Sequence, residues 1–179
     1  MVEGLDTTIN VELETDNIDE AISYCNSNSA ISGVGDILSD IKSTIEEASQ
    51  EGVRLAAEDN KSMQELWIQQ NNSIVTGNLL SSITIYQNSD TSWTVVPEAD
   101  YAYYVEFGRG PVRPVSAKAL HFFVEGEEVF TKYSGPSMPK PFVQPSFEVT
   151  ENNNASTIIM EAINNAINWH TSTKCITKS

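Results

Sequence analysis

Between Asp36 and Glu58 apolar side chains return at steps of three and four residues. Ile37, Leu38, Ile41, Ile45, Ala48, Val53 and Ala56 form one stripe over about six turns, which predicts an amphipathic helix. Upstream the period is different. Thr7 to Glu14 alternates polar and apolar, with Ile9, Val11 and Leu13 on one side, the pattern of a half-buried strand. Asp16 or Asn17 can then cap a short helix through Cys25, and the Ser, Asn and Gly of Asn26 to Gly35 predict a loop. Lys61 to Val75 is less clear, since Met63, Leu66, Trp67 and Ile74 could line a second helical piece or a packed loop, and it is read as helix.

After Gly77 the alternation of Leu80, Ser82, Thr84 and Tyr86 with Ser81, Ile83 and Ile85 predicts a strand. Asn88-Ser89-Asp90 breaks it and Trp93-Thr94-Val95-Val96 resumes it, a hairpin signal. Tyr101 to Phe107 reads as a third strand, closed by Gly108-Arg109-Gly110-Pro111. Lys118 to Phe123 and Glu128 to Tyr133 flank Glu125-Gly126-Glu127 as another hairpin. Ser134 to Pro141 holds three prolines and predicts an extended connector. Ile158, Ile159, Ala162, Ile163, Ala166 and Ile167 mark a last helix, which can begin just after Pro145. The expected class is α+β: a mainly antiparallel sheet of short strands, packed by a long N-terminal-side helix and a C-terminal helix. Residues 1–33 would be an N-terminal extension of strand plus short helix, 34–170 the α+β domain and 171–179 a flexible tail.

With 179 residues, 40% of them apolar, the chain can bury a core. It lacks the roughly 20-residue apolar run of a membrane span, and Met1-Val2-Glu3-Gly4-Leu5-Asp6 has neither a basic nor an apolar leader segment, so a soluble, unsecreted protein is expected. Cys25 and Cys175 form no Cys-x-x-Cys pair and read as free thiols. Charge changes the picture more. The net charge is −15, and residues 1–60 hold 14 acidic against 2 basic residues, a net of −12. That balance disfavours direct nucleic-acid binding, which rests on Lys and Arg neutralising phosphates. A solvated acidic face, an adaptation to a salty cytoplasm, or a negative lumen or docking face all fit.

Candidate chemistry is sparse. Glu106 sits inside an apolar stretch, and strand alternation puts it on one face with Ala102 and Tyr104. It reads as an exposed edge carboxylate, or as one paired with Arg109 or Arg113 of the same or a neighbouring subunit. Gly108-Arg109-Gly110-Pro111-Val112-Arg113-Pro114 lacks the spacing of a phosphate-binding loop and is followed by no helix signal. His121 has only His170 for company, too few for a metal-ligand triad. An enzyme built on Glu106 and His121 would lack a nucleophile elbow, a His-Glu-x-x-His helix and a glycine-rich phosphate loop. No enzyme, cofactor or metal is expected.

Three words in order carry a resemblance: Thr76-Gly77-x-Leu79-x-x-Ser82-Ile83, then Tyr101-Ala102-x-Tyr104-Val105-Glu106-Phe107-Gly108, then Pro139-x-Pro141-Phe142-Val143-x-Pro145. Their order and spacing resemble the tail-completion (neck) family of long-tailed phages and tailed archaeal viruses. Residues 1–33 and the stretch 61–73 have no counterpart in that pattern. The resemblance implies a structural virion protein of the neck, assembled in the host cytoplasm. It would form a ring, commonly a hexamer, that completes the tail and joins it to the head connector, leaving a channel through which DNA passes without specific binding. Its partners would be itself, connector or stopper proteins, and the tail terminator or tail tube. A tail-terminator-type ring and an acidic cytoplasmic binding or inhibitor module are the alternatives. A closed ring needs two different complementary patches. The loop from Arg109 to Val115, with Arg113 and Glu106, and the acidic helix residues Glu46, Glu47 and Glu51 are the candidates.

Overall fold

The computed structural model describes residues 4–71, 77–124 and 127–176, and only the backbone of Phe123, Val124 and residues 170–176. In chain order the elements are β1 (Thr7–Asn10), α1 (Asp16–Ser27), α2 (Ser32–Gln70), α3 (Asn78–Ser81), β2 (Ile83–Ser89) and β3 (Ser92–Pro97). Then come α4 (Ala102–Phe107), β4 (Leu120–Val124), β5 (Glu127–Thr131), α5 (Val143–Val149), a π-helical turn at Thr150–Asn154 and α6 (Ala155–Ile176). The class is α+β, as the residue pattern predicts. β3 lies between β1 and β2 in a three-stranded sheet, and β4 pairs antiparallel with β5 from Leu120 opposite Thr131 to Val124 opposite Glu127. The two-residue turn at Asp90 and Thr91 makes β2 and β3 an antiparallel hairpin.

The long helix is the first departure. α2 runs unbroken for 39 residues, taking in the end of the expected loop and most of the ambiguous stretch after Lys61. Ile74, with the rest of residues 72–76, lies outside the described residues, as does the expected turn at 125–126. The reason for the continuity is a buried stripe that includes polar side chains: Val53, Ala56, Ala57, Asn60, Gln64 and Ile68 are all fully buried. Gln64 Nε2 donates to Asn60 Oδ1 at 3.0 Å, and the Thr7 hydroxyl donates to the same oxygen at 2.9 Å. Those bonds offset part of the desolvation of the amides, although Gln64 Oε1 is buried without a hydrogen-bond partner, so a helical face can stay inside without being wholly apolar.

The chain forms two compact units. One comprises Met1–Thr7, Asn60–Ile85 and Val95–Glu148; the other comprises Thr8–Asp59, Tyr86–Thr94 and Val149–Ser179. In the first, Leu5, Ile68, Leu79, Ile83, Val95, Ala102, Phe142 and Val143 make the core. In the second, Ile9, Cys25, Ala48, Val53, Ala56 and Ala57 do. There α2 and α6 approach closely at Gly52, where an added Cβ would stand 2.8 Å from the Ile159 Cα. The π-helical turn is held to α2 by Asp59, whose Oδ2 accepts from Asn154 Nδ2 at 2.9 Å and the Thr150 hydroxyl at 3.4 Å.

Two expected strand segments are helical. Residues 78–81 form α3 and the strand begins only at Ile83, because Gly77, at φ +76°, turns the backbone so that Leu79 drops into the core. Tyr101 to Phe107 is not a strand: α4 takes Ala102–Phe107.

Candidate assembly surface and the junction that shapes it

The helical period of α4 decides which of its side chains face inward. Ala102 and Glu106, four residues apart, are buried, while Tyr103, Tyr104 and Phe107 are exposed. Glu106 is therefore not an edge carboxylate, and within the chain its partners are backbone amides rather than an arginine. Its Oε2 accepts the backbone N–H groups of Phe142 at 2.7 Å and Val143 at 3.0 Å, and Oε1 accepts that of Gln144 at 3.1 Å. The first four peptide nitrogens of a helix have no acceptor within it. At the start of α5 three of them bind Glu106, and the fourth belongs to Pro145, which has no N–H. The helix entrance is thus fully satisfied, and the carboxylate sits at the positive end of the α5 peptide dipoles.

Around this junction the second and third sequence words are fastened backbone to backbone. Lys140 N donates to Val105 O at 2.8 Å; Arg109 and Ser137 exchange two hydrogen bonds, as do Val112 and Ser134. Gly108 closes α4 at φ +74°, and a Cβ there would lie 2.6 Å from the Ser137 carbonyl oxygen, so both backbone angle and space demand glycine. The Pro141 carbonyl accepts from Asn71 Nδ2 at 2.9 Å, and Phe142 is fully buried. In the first word, Leu79 and Ile83 are buried and the Ser82 hydroxyl donates to Leu79 O at 2.8 Å; Thr76 lies outside the described residues.

The arginines turn elsewhere. Arg109 is half-buried and donates to the Ser134 hydroxyl at 2.6 Å, whereas Arg113 is exposed with its guanidinium 5.4 Å from the Tyr133 ring centre. Arg109, Val112, Leu120, His121, Phe122 and Ser134 line an open cleft of about 240 Å³. His121 stacks on Phe130 and lies 3.1 Å from the exposed Glu128 carboxylate, so the Glu106 and His121 pairing an enzyme would need is not formed. Among the described residues no group of three or more His, Cys, Asp and Glu is placed to hold a metal. No described helix is long and apolar enough to cross a membrane.

On the outer side of α4 lies a surface that strand alternation would split. Tyr103 touches Tyr104 edge-on at 6.0 Å and Phe107 at 4.8 Å, while Tyr104 stays 52% exposed and Phe107 51%. Tyr104 is the telling position: strand alternation sets it with Ala102 and Glu106, whereas the helix turns it outward with Tyr103 and Phe107. In the other unit Glu47 and Glu51 are exposed and Glu46 is half-buried. Arg54 binds Glu51 at 2.6 Å and also Glu58, which holds the Glu51 carboxyl below its usual range and raises the guanidinium. Glu46 lies 3.7 Å from Lys42, whose ammonium sits closer to Asp19, at 2.6 Å. Glu46, Glu12 and Asp90 line a cleft of about 390 Å³ with Val11, Leu13 and Gln50.

Residues 29–108 match the family model described as "Bacteriophage HK97-gp10, putative tail-component". This segment is similar to the HK97-gp10-like family. The HK97-gp10-like match takes in α2, the first and second words and the β2–β3 hairpin, and it ends at Gly108, the residue that closes α4. The amides that receive Glu106 lie beyond it. No curated protein and no solved structure matches the chain.

Proposed function

We propose that the protein is a structural part of a virion neck, a ring of identical copies that completes the tail and joins it to the head connector. The observation that carries this reading is the tail-component match over residues 29–108. Two features of the molecule support it. The unit around α4 presents aromatic rings and two arginines, and the unit that holds Glu46 and Glu47 presents carboxylates, which gives one chain the two unlike patches that a closed heterologous ring requires. The net charge of −15 suits a lumen along which duplex DNA moves without sticking.

In this reading six copies close the ring, connector or stopper proteins bind one side, and the tail terminator or tail tube binds the other. Light scattering of the purified protein at several salt concentrations, followed by negative-stain images, tests it. Rings, alone or after adding tail-tube protein, are the expected result. A monomer that also ignores tail-tube and connector proteins would overturn the neck reading in favour of an acidic binding module.

A further inference from the structure

We infer that the exposed face of α4 with the loop after it, Tyr103, Tyr104, Phe107 and Arg113, docks a second copy of this chain, on the acidic surface around Glu46 and Glu47. The inference rests on the ring reading above and names the two faces that meet. Three exposed aromatic side chains on a six-residue helix are unusual for a surface with no partner, and Tyr, Phe and Arg are the side chains most enriched where proteins meet. The inner face of α4 is already used by Ala102 and Glu106, so the outer face is left for association.

Charge selects the occupant. Residues 109–140 hold five of the chain's ten basic residues against three acidic ones, while residues 1–60 net −12. A surface of a second copy therefore meets this one with opposite sign. Within that acidic surface Glu51 is the weaker counterpart, because Arg54 already neutralises it. Glu47 accepts from the uncharged Ser43 hydroxyl at 3.4 Å, and Glu46 opens onto the cleft with Glu12 and Asp90. An Arg113 guanidinium entering that cleft gains charge-assisted hydrogen bonds, and the apolar Val11 and Leu13 at its wall offer the α4 rings a surface to cover.

The test uses two full-length variants that each disable one face. Tyr104→Ser with Phe107→Ser removes the aromatic face; Glu46→Lys with Glu47→Lys reverses the acidic one. Sedimentation velocity should show the wild type associating with rising concentration and less so in high salt. Each variant alone should need about tenfold or more protein to associate, with unchanged circular dichroism. Mixed one to one, the two variants should form a dimer and stop there, because only one intact pair of faces remains between them. Association of both variants at wild-type concentrations would overturn these faces and leave the ring reading standing. A mixture that stays monomeric while the wild type associates would overturn the head-to-tail pairing. A wild type monomeric at every concentration would overturn self-docking, and the tail-tube experiment would then decide the ring reading separately.

Discussion

Glu106 in the α4 unit and Glu51 in the other unit are the same side chain in opposite settings. Glu106 is 3% exposed and binds three peptide amides; Glu51 stands in water and shares Arg54 with Glu58. Buried, a carboxylate is held in place by donors that have no other acceptor, and removing it leaves those donors stranded. Exposed, it gains little from a screened partner, and removing it leaves only water behind. Stability should therefore depend strongly on Glu106 and little on Glu51, and the association proposed above should depend on Glu46 and Glu47 rather than on either.

The contrast breaks most sharply at Glu106. Glu106→Ala should cost about 3 to 5 kcal/mol in chemical denaturation, since three amides lose their acceptor at roughly 1–3 kcal/mol each. Glu106→Gln should cost less, because one oxygen can still accept from Phe142 and Val143 while its amide group opposes Gln144 N–H. Equal losses from both would mean that the one oxygen Gln retains holds nothing and that only the charged, doubly accepting carboxylate serves the helix entrance. Next comes Gly108→Ala, at about 2 kcal/mol from a positive φ and a carbonyl in the way. Gly52→Ala should cost about 1 to 3 kcal/mol by pushing α6 off α2, measured as a lower melting temperature. Arg54→Ala should cost less than about 1 kcal/mol.

Acid sharpens the same comparison weakly. The Asp19 and Glu51 carboxyls are held below their ordinary values by hydrogen bonds from Lys42 and Arg54. A depressed folded value means stability that is present above the unfolded pKa and lost as pH falls through the folded one. A shallow drop in melting temperature should therefore appear below about pH 4 and shrink in high salt. The same drop in Lys42→Met and Arg54→Ala would show that these pairs contribute nothing.

Much of this was legible in the residues, and each failure has its own physical cause. Period-2 and period-3.6 patterns agree over a spacing of four, so Ala102 and Glu106 fall on one face whether the segment is strand or helix, and only Tyr104 discriminates. A six-residue aromatic stretch offers too few positions to choose. Asn60 and Gln64 hid the length of α2 because a stripe counted in apolar residues skips buried amides. The hairpins, both long helices and the proline connector were plain, since each has several periods or hard breakers. The acceptor for the α5 amides was invisible because Glu106 lies 36 to 38 residues upstream.

That separation also fixes an order of events as the chain is made. Glu106 leaves the ribosome well before Phe142, so for that interval its charge has no amides to receive it and stays in water. α4 then has no buried face to settle on, and its aromatic rings have no fixed backbone to display them. Closing this span of about 36 residues has to wait until Phe142 is made, and it couples the start of α5 to the shape of the outer surface. If the proposed ring forms through this surface, a copy can join it only once its own α5 has begun.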